Sequence, residues 1–125
     1  MLYYNLNRPS EKVDFRTATL QGLGSDKGLF FPEYIPAFSK EWISRMEEYT
    51  GEEIAFTVLR PYVGNSIPED VLETIAAEAI SFDIPLVPVT ENIFSLELFH
   101  GPTLAFKDVG ARFMSRCLGY FTKGN

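Results

Sequence analysis

Ser66 to Phe99 reads SIPEDVLETIAAEAISFDIPLVPVTENIFSLELF, and the spacing of its apolar residues changes once along the way. Val71, Leu72, Ile75, Ala76 and Ala79 recur every three or four residues, which places them on one face of a helix. Pro68, Glu69 and Asp70 suit the first turn of that helix. Proline has no N–H to leave unpaired there, and carboxylates favour the positive end of the helix dipole. Beyond Ser81 the helical spacing stops. Ile84-Pro85-Leu86-Val87-Pro88-Val89 reads as extended chain, Thr90-Glu91-Asn92 as a turn, and Ile93 to Phe99 as the returning strand. Phe94, Leu96 and Leu98 alternate with Ser95 and Glu97, which predicts a strand with one buried face. Two periods in one stretch make an α+β (mixed α/β) fold, a small sheet with several helices, the economical reading.

Upstream, Leu2, Tyr3 and Tyr4 form a short β-prone opening, closed by the turn-rich Asn7-Arg8-Pro9-Ser10. Pairing of Met1 to Asn5 with the strand around Phe94 to Phe99 is expected, because both are short, aromatic and otherwise edge-exposed. Asp14 caps a helix whose Phe15, Ala18, Thr19 and Gly22 share a face, with Gly22 and Gly24 as its stop. Gly28-Leu29-Phe30-Phe31-Pro32 is too short for a helix, and Pro32 limits it to an edge or an irregular extended stretch. Ser39 opens a further helix in which Trp42, Ile43, Met46 and Tyr49 repeat as a core stripe. Thr50 and Glu53 make a capping box for the next, with Ile54, Val58 and Leu59 inward and Pro61 ending or kinking it. Downstream, Gly101-Pro102 breaks the extended run. From Lys107, Val109, Phe113 and Cys117, with Met114, Leu118 and Phe121 beside them, mark a last helix.

The 125 residues are 46% hydrophobic, enough for one core but not for two. Lys and Arg number 11 against 17 Asp and Glu, a net charge of −6, and no basic run gathers them into a stripe that would track a phosphate backbone. Nucleic acid is a poor partner for such a surface. Cys117 is alone, so no internal disulfide and no Cys/His metal spacing exist, which fits a reducing, cytoplasmic setting. No apolar run approaches the roughly 20 residues that would span a bilayer, so no membrane partner is expected.

Chemistry concentrates in Phe99-His100-Gly101-Pro102-Thr103-Leu104-Ala105-Phe106-Lys107-Asp108, which orders a strand end, a Gly-Pro turn and a lysine at a helix start. Exposed N–H groups and the dipole favour an anionic group there. Only a neutral amine attacks a carbonyl, so burial or neighbouring positive charge is what makes a lysine nucleophilic. From spacing alone, Lys107 and Asp108 read as a solvated first turn and His100 as a structural histidine. Asp108 and Arg112 read as an i,i+4 pair, and Cys117 as inert core.

The stretch from Phe99 through Lys107 and on through Asp108-Val109-Gly110-Ala111-Arg112-Phe113-Met114 resembles the cofactor-lysine signature of threonine synthases, in the subgroup written FHGPTLAFKD. Gly28-Leu29-Phe30-Phe31-Pro32-Glu33, the Tyr3-Tyr4 start and the Ile84-Pro85-Leu86 approach resemble that subgroup as well. The resemblance implies a threonine synthase N-terminal domain over 1–98, and the start of the catalytic domain that binds pyridoxal 5'-phosphate over 99–125. It implies a lyase that takes O-phospho-L-homoserine and water to L-threonine and phosphate. Lys107 would hold the cofactor covalently, release it to the substrate amine and then move protons. Phe106 resembles the aromatic residue that packs on the cofactor ring in related enzymes, and His100 and Thr103 would touch substrate or cofactor phosphate. No metal is implied. A phospho-lyase on a related phosphorylated amino acid and a non-enzymatic binding module are the alternatives.

Members of the family continue well past Asn125 into a parallel sheet carrying the loop that cradles the cofactor phosphate. The chain therefore reads as an N-terminal piece, inactive alone and without a tight hold on pyridoxal phosphate. Its last helix would lack the sheet it packs on, and self-association through that exposed C-terminal helix is expected to cover the stripe.

Overall fold

The computed structural model describes residues 1–123. In chain order the elements are β1 (Leu2–Asn5), β2 (Lys12–Asp14), α1 (Phe15–Gln21), β3 (Phe30–Pro32), α2 (Lys40–Ser44), α3 (Gly51–Val63), α4 (Glu69–Ala79), β4 (Leu86–Thr90), β5 (Ile93–Leu96) and α5 (Asp108–Thr122). Single 3-10 turns at Met46–Glu48 and Gly64–Ser66 precede and follow α3. This is the mixed α/β architecture expected from the two periods, in two separate small sheets.

Local signals start the helices as expected. The Asp14 carboxylate accepts the Thr17 N–H at 2.8 Å, and Gly22 closes α1 by donating to the Ala18 carbonyl at 2.9 Å. The Ser39 hydroxyl oxygen accepts the Trp42 N–H at 3.1 Å. At Thr50 the capping box is complete. Its hydroxyl oxygen accepts the Glu53 N–H, and the Glu53 carboxylate accepts the Thr50 N–H at 2.7 Å. Pro61 does not end α3, which runs on to Val63, so the missing N–H removes one rung without breaking the helix.

The core lies where α3, α4 and α5 meet. Val63, Ile67, Leu72, Ile75, Cys117 and Phe121 are buried together, with Phe15, Phe56, Leu59, Val71, Phe113 and Tyr120 packed around them. Phe15 of α1 connects this core to the first sheet: its ring centroid lies 6.0 Å from Tyr3, 6.3 Å from Phe113 and 6.1 Å from Phe121. The Tyr3 hydroxyl donates to the Tyr62 carbonyl at 2.8 Å, tying β1 to α3.

Four expectations are corrected. β1 does not pair with the strand around Phe94 to Phe99. It is the centre of a three-stranded antiparallel sheet in the order β2-β1-β3, and β5 pairs with β4. Neighbours close in sequence fill both edges of β1, because short loops cost less entropy to close than a return across most of the chain. The Trp42, Ile43, Met46 and Tyr49 stripe is not core. α2 stops at Ser44, Ile43 is exposed, and Trp42 instead sits in a surface aromatic row, 4.8 Å from Phe38 and 6.1 Å from Tyr49. The β4–β5 hairpin has no buried face, since Phe94 and Leu96 are each more than half exposed. Finally, α5 is not left with its apolar stripe in solvent. It folds back on α4 and α1, burying Cys117 and Phe121, while Met114 stays exposed.

Polar contacts fix the same seam. Arg112 donates to the Glu78 carbonyl at 3.0 and 2.7 Å and to the Ser81 hydroxyl at 2.9 Å, where the last carbonyls of α4 carry the negative end of its dipole. Arg116 pairs with the Glu78 carboxylate. No helix among the described residues is long and apolar enough to cross a membrane.

Candidate functional site

The residues singled out for chemistry form one continuous loop between β5 and α5. The hairpin's last backbone bond runs from the Glu97 N–H to the Pro85 carbonyl at 3.0 Å, and the chain then turns. His100 pairs through Nε2 with the Glu97 carboxylate at 2.7 Å, and its ring stacks on Phe99 with centroids 4.8 Å apart. A tight turn follows, in which the Leu104 N–H donates to the Gly101 carbonyl at 3.0 Å and Leu104 takes a left-handed φ of 58°. A second turn bonds the Asp108 N–H to the Ala105 carbonyl at 3.0 Å, and α5 starts.

Lys107 is the residue just ahead of α5, with helical backbone angles of −75° and −9°. Its carbonyl accepts the Ala111 N–H at 2.9 Å, the first rung of the helix. The side chain points away from the core: the amine lies 5.9 Å from the Phe106 ring centroid, and Phe106 is 68% exposed. Among the described residues no carboxylate lies within ion-pair distance of that amine. A free amine beside an open aromatic face is able to add to a carbonyl compound and to stack a flat ring.

Asp108 sits on the other side of the same backbone. It is only 3% exposed, and its carboxylate accepts both the Thr103 N–H at 3.0 Å and the Thr103 hydroxyl at 2.5 Å. The Thr103 hydroxyl bond is the main reason its carboxyl is held below the ordinary range. The N–H groups of Thr103 and Ala105 and the Arg112 charge add to this, and burial opposes it. Gly101 packs directly on this carboxylate; a Cβ there would lie 2.4 Å from the nearer oxygen. The expected Asp108–Arg112 pair is therefore replaced: Asp108 bonds back to Thr103, and Arg112 bonds to α4.

His100, Thr103, Phe106 and Lys107 are thus brought into one loop, but with different freedom. His100 is engaged by Glu97 and Thr103 by Asp108, whereas Phe106 and Lys107 are open. The Gly101–Thr103–Asp108 contact was not read from the sequence; its only signal there is an Asp at a helix start with a hydroxyl residue five positions before it. A second polar centre was also missed. Asn5 is fully buried and donates to Glu11 at 2.8 Å and Asp26 at 2.7 Å, while accepting the Asn7 N–H at 3.0 Å.

Comparison with known proteins identifies the family of the chain. Residues 2–80 match the family described as Threonine synthase N terminus. Threonine synthase from Haemophilus influenzae is 45% identical over 118 residues, covering 94% of this chain and 27% of that protein. The crystal structure of threonine synthase from Escherichia coli superposes with a TM-score of 0.91 at 41% identity, over 97% of this chain and 28% of that one. The crystal structure of PLP-bound threonine synthase from Brucella melitensis superposes with a TM-score of 0.90 at 38% identity, over 97% of this chain and 27% of that one. The chain spans little more than a quarter of the length of these relatives, and by sequence and by fold it belongs to the threonine synthase N-terminal family.

Proposed function

We propose that this chain supplies the N-terminal part and the cofactor lysine of a threonine synthase, which takes O-phospho-L-homoserine and water to L-threonine and phosphate. The observation that carries the reading is the placement of Lys107. Its amine emerges at the start of α5, unpaired by acid among the described residues and beside the open face of Phe106. That donor set fits pyridoxal phosphate, which needs an amine for covalent attachment and tolerates an aromatic neighbour. When bound, pyridoxal phosphate supplies an electron sink for carbanion charge. The chain's own residues do the rest. Lys107 anchors, and once displaced by the substrate amine it holds and moves a proton at Nζ. Phe106 offers a ring face that limits tilt. Of the two residues expected to touch phosphate, His100 keeps a ring nitrogen beyond its Glu97 contact, whereas the Thr103 hydroxyl gives its proton to Asp108 and has only acceptor lone pairs, which an anionic phosphate does not engage.

In this reading 99–125 opens the cofactor-binding part, with the inner face of α5 anchored on the N-terminal helices. A cytoplasmic location goes with it, supported by a single, buried cysteine.

The test is a chimera in which residues 1–125 replace the matching part of the Escherichia coli enzyme. Release of phosphate and threonine from O-phospho-L-homoserine is expected, and Lys107→Ala should abolish it. Turnover close to the parent chimera in that variant would refute the role of Lys107. Phosphate release without threonine would favour a related phospho-lyase instead.

A further inference from the structure

We propose that Asp108 is the positioning residue of Lys107, holding the lysine in place through a clasp on Thr103 and Gly101. The inference rests on the reading of Lys107 as the cofactor lysine. An acidic residue in a first helical turn ordinarily turns inward to the helix's own free N–H groups. Asp108 turns back toward the preceding loop, and both of its oxygens are taken by Thr103. Its bonds therefore close the loop from Thr103 to Asp108 rather than cap α5, and Lys107 forms no side-chain cap either.

The loop needs such a device. Leu104 holds a left-handed conformation that a side-chain-bearing residue disfavours, and it is 73% exposed, so packing does not keep it there. Phe106 and Lys107 are exposed too, and neither side chain anchors its own backbone. What remains is the clasp with two turn bonds, from the Leu104 N–H to the Gly101 carbonyl and from the Asp108 N–H to the Ala105 carbonyl, on one side of Lys107, and the Lys107 carbonyl to Ala111 N–H rung on the other. Gly101 completes the fit from behind, since any side chain there meets the carboxylate. A reacting amine is useful only if its backbone is held within a fraction of an ångström by neighbours that are themselves locked.

Two measurements on the 125-residue chain test this. The first is backbone 15N relaxation. The native chain should show Thr103 to Lys107 as ordered as α5. In Asp108→Ala and Gly101→Ala, order parameters at Lys107 should fall below about 0.6 while Phe113 to Phe121 keep theirs. Thr103→Ser, which retains the hydroxyl, should behave as native, and Thr103→Val, on an exposed residue that does not threaten folding, should be intermediate. Unchanged order at Lys107 in Asp108→Ala, Gly101→Ala and Thr103→Val would overturn the proposal. The second is brief exposure to pyridoxal phosphate with borohydride trapping and peptide mapping. Lys107 should be labelled above Lys12, Lys27, Lys40 and Lys123, and that preference should drop several-fold in Asp108→Ala and Gly101→Ala but survive in Thr103→Ser. Native-like preference in the two disrupting variants would also overturn the clasp. Absence of preference in the native chain would instead count against the cofactor reading, and the relaxation result would still decide whether Asp108 holds Lys107.

Discussion

Where α3, α4 and α5 meet, Leu72, Ile75, Cys117 and Phe121 are removed from water by one another; in the hairpin and the lysine loop, Leu86, Phe94, Leu96 and Phe106 are all more than half exposed. The first region is held by apolar contact and the second by polar contact alone, through the β4–β5 ladder and the Asp108 clasp. The difference is one of division of labour. Burial fixes α5 against the rest of the chain, and a few directed bonds then aim a loop that has no core of its own. Exposed apolar patches of this kind mark surfaces that take a partner or a ligand, and the cofactor lysine of the proposed function stands among them.

The contrast is broken or sharpened most by substitution at matched aromatic positions. Phe121→Ala should lower the unfolding free energy by about 3–5 kcal/mol, and Phe94→Ala by no more than about 0.5 kcal/mol, in urea titrations. Similar losses at both sites would erase the distinction. Next in size is Asn5→Ala, expected to cost about 1–3 kcal/mol because Glu11, Asp26 and the Asn7 N–H lose their common partner inside the fold. Gly28→Ala should reproduce that loss from the opposite side, since a Cβ at Gly28 would lie 1.9 Å from the Asn5 carboxamide oxygen. Thr50→Ala should remove about 1 kcal/mol by opening the capping box of α3; no change in thermal midpoint would mean that the start of α3 is held by packing.

Smallest in energy and most local is the effect of acid on the lysine loop. The Asp108 carboxyl titrates below the ordinary carboxylate value of about 4, so its bonds to Thr103 contribute fully above that value. They persist as the pH falls past it and are lost only as the pH drops through the lower folded value. The Thr103 amide proton should shift with that titration while amides in the middle of α5 do not. A midpoint at or above about 4 would show that Asp108 gains nothing from Thr103.

Much of this arrangement is legible in the residues. Asp14, Ser39, Thr50 and Glu53 name their helix starts because capping chemistry is local, and Leu72, Ile75, Ala76 and Ala79 name their face because a helix repeats it. The role proposed for Phe106 and Lys107 comes from resemblance, not from spacing. Partners were not legible. Alternation in Phe94, Leu96 and Leu98 states which side chains share a face without stating what covers it, and here nothing among the described residues does. Leu2, Tyr3 and Tyr4 announce a strand, yet only loop lengths decide that β2 and β3 flank it. The stripe of α5 likewise leaves its cover unnamed, and α4 supplies it. The clasp on Thr103 escaped because its members, five residues apart, meet only once Leu104 has reversed the chain.

The buried Cys117 has a practical consequence. Burial pushes its thiol up to about 11, so at neutral pH it is almost wholly protonated as well as shielded, and an alkylating reagent reaches a reactive thiolate only when the α4–α5 seam parts. One thiol, with no second to confuse the signal, thereby turns each opening of the molecule into a permanent chemical mark, and the rate at which intact mass increases becomes a clock for how often the core breathes.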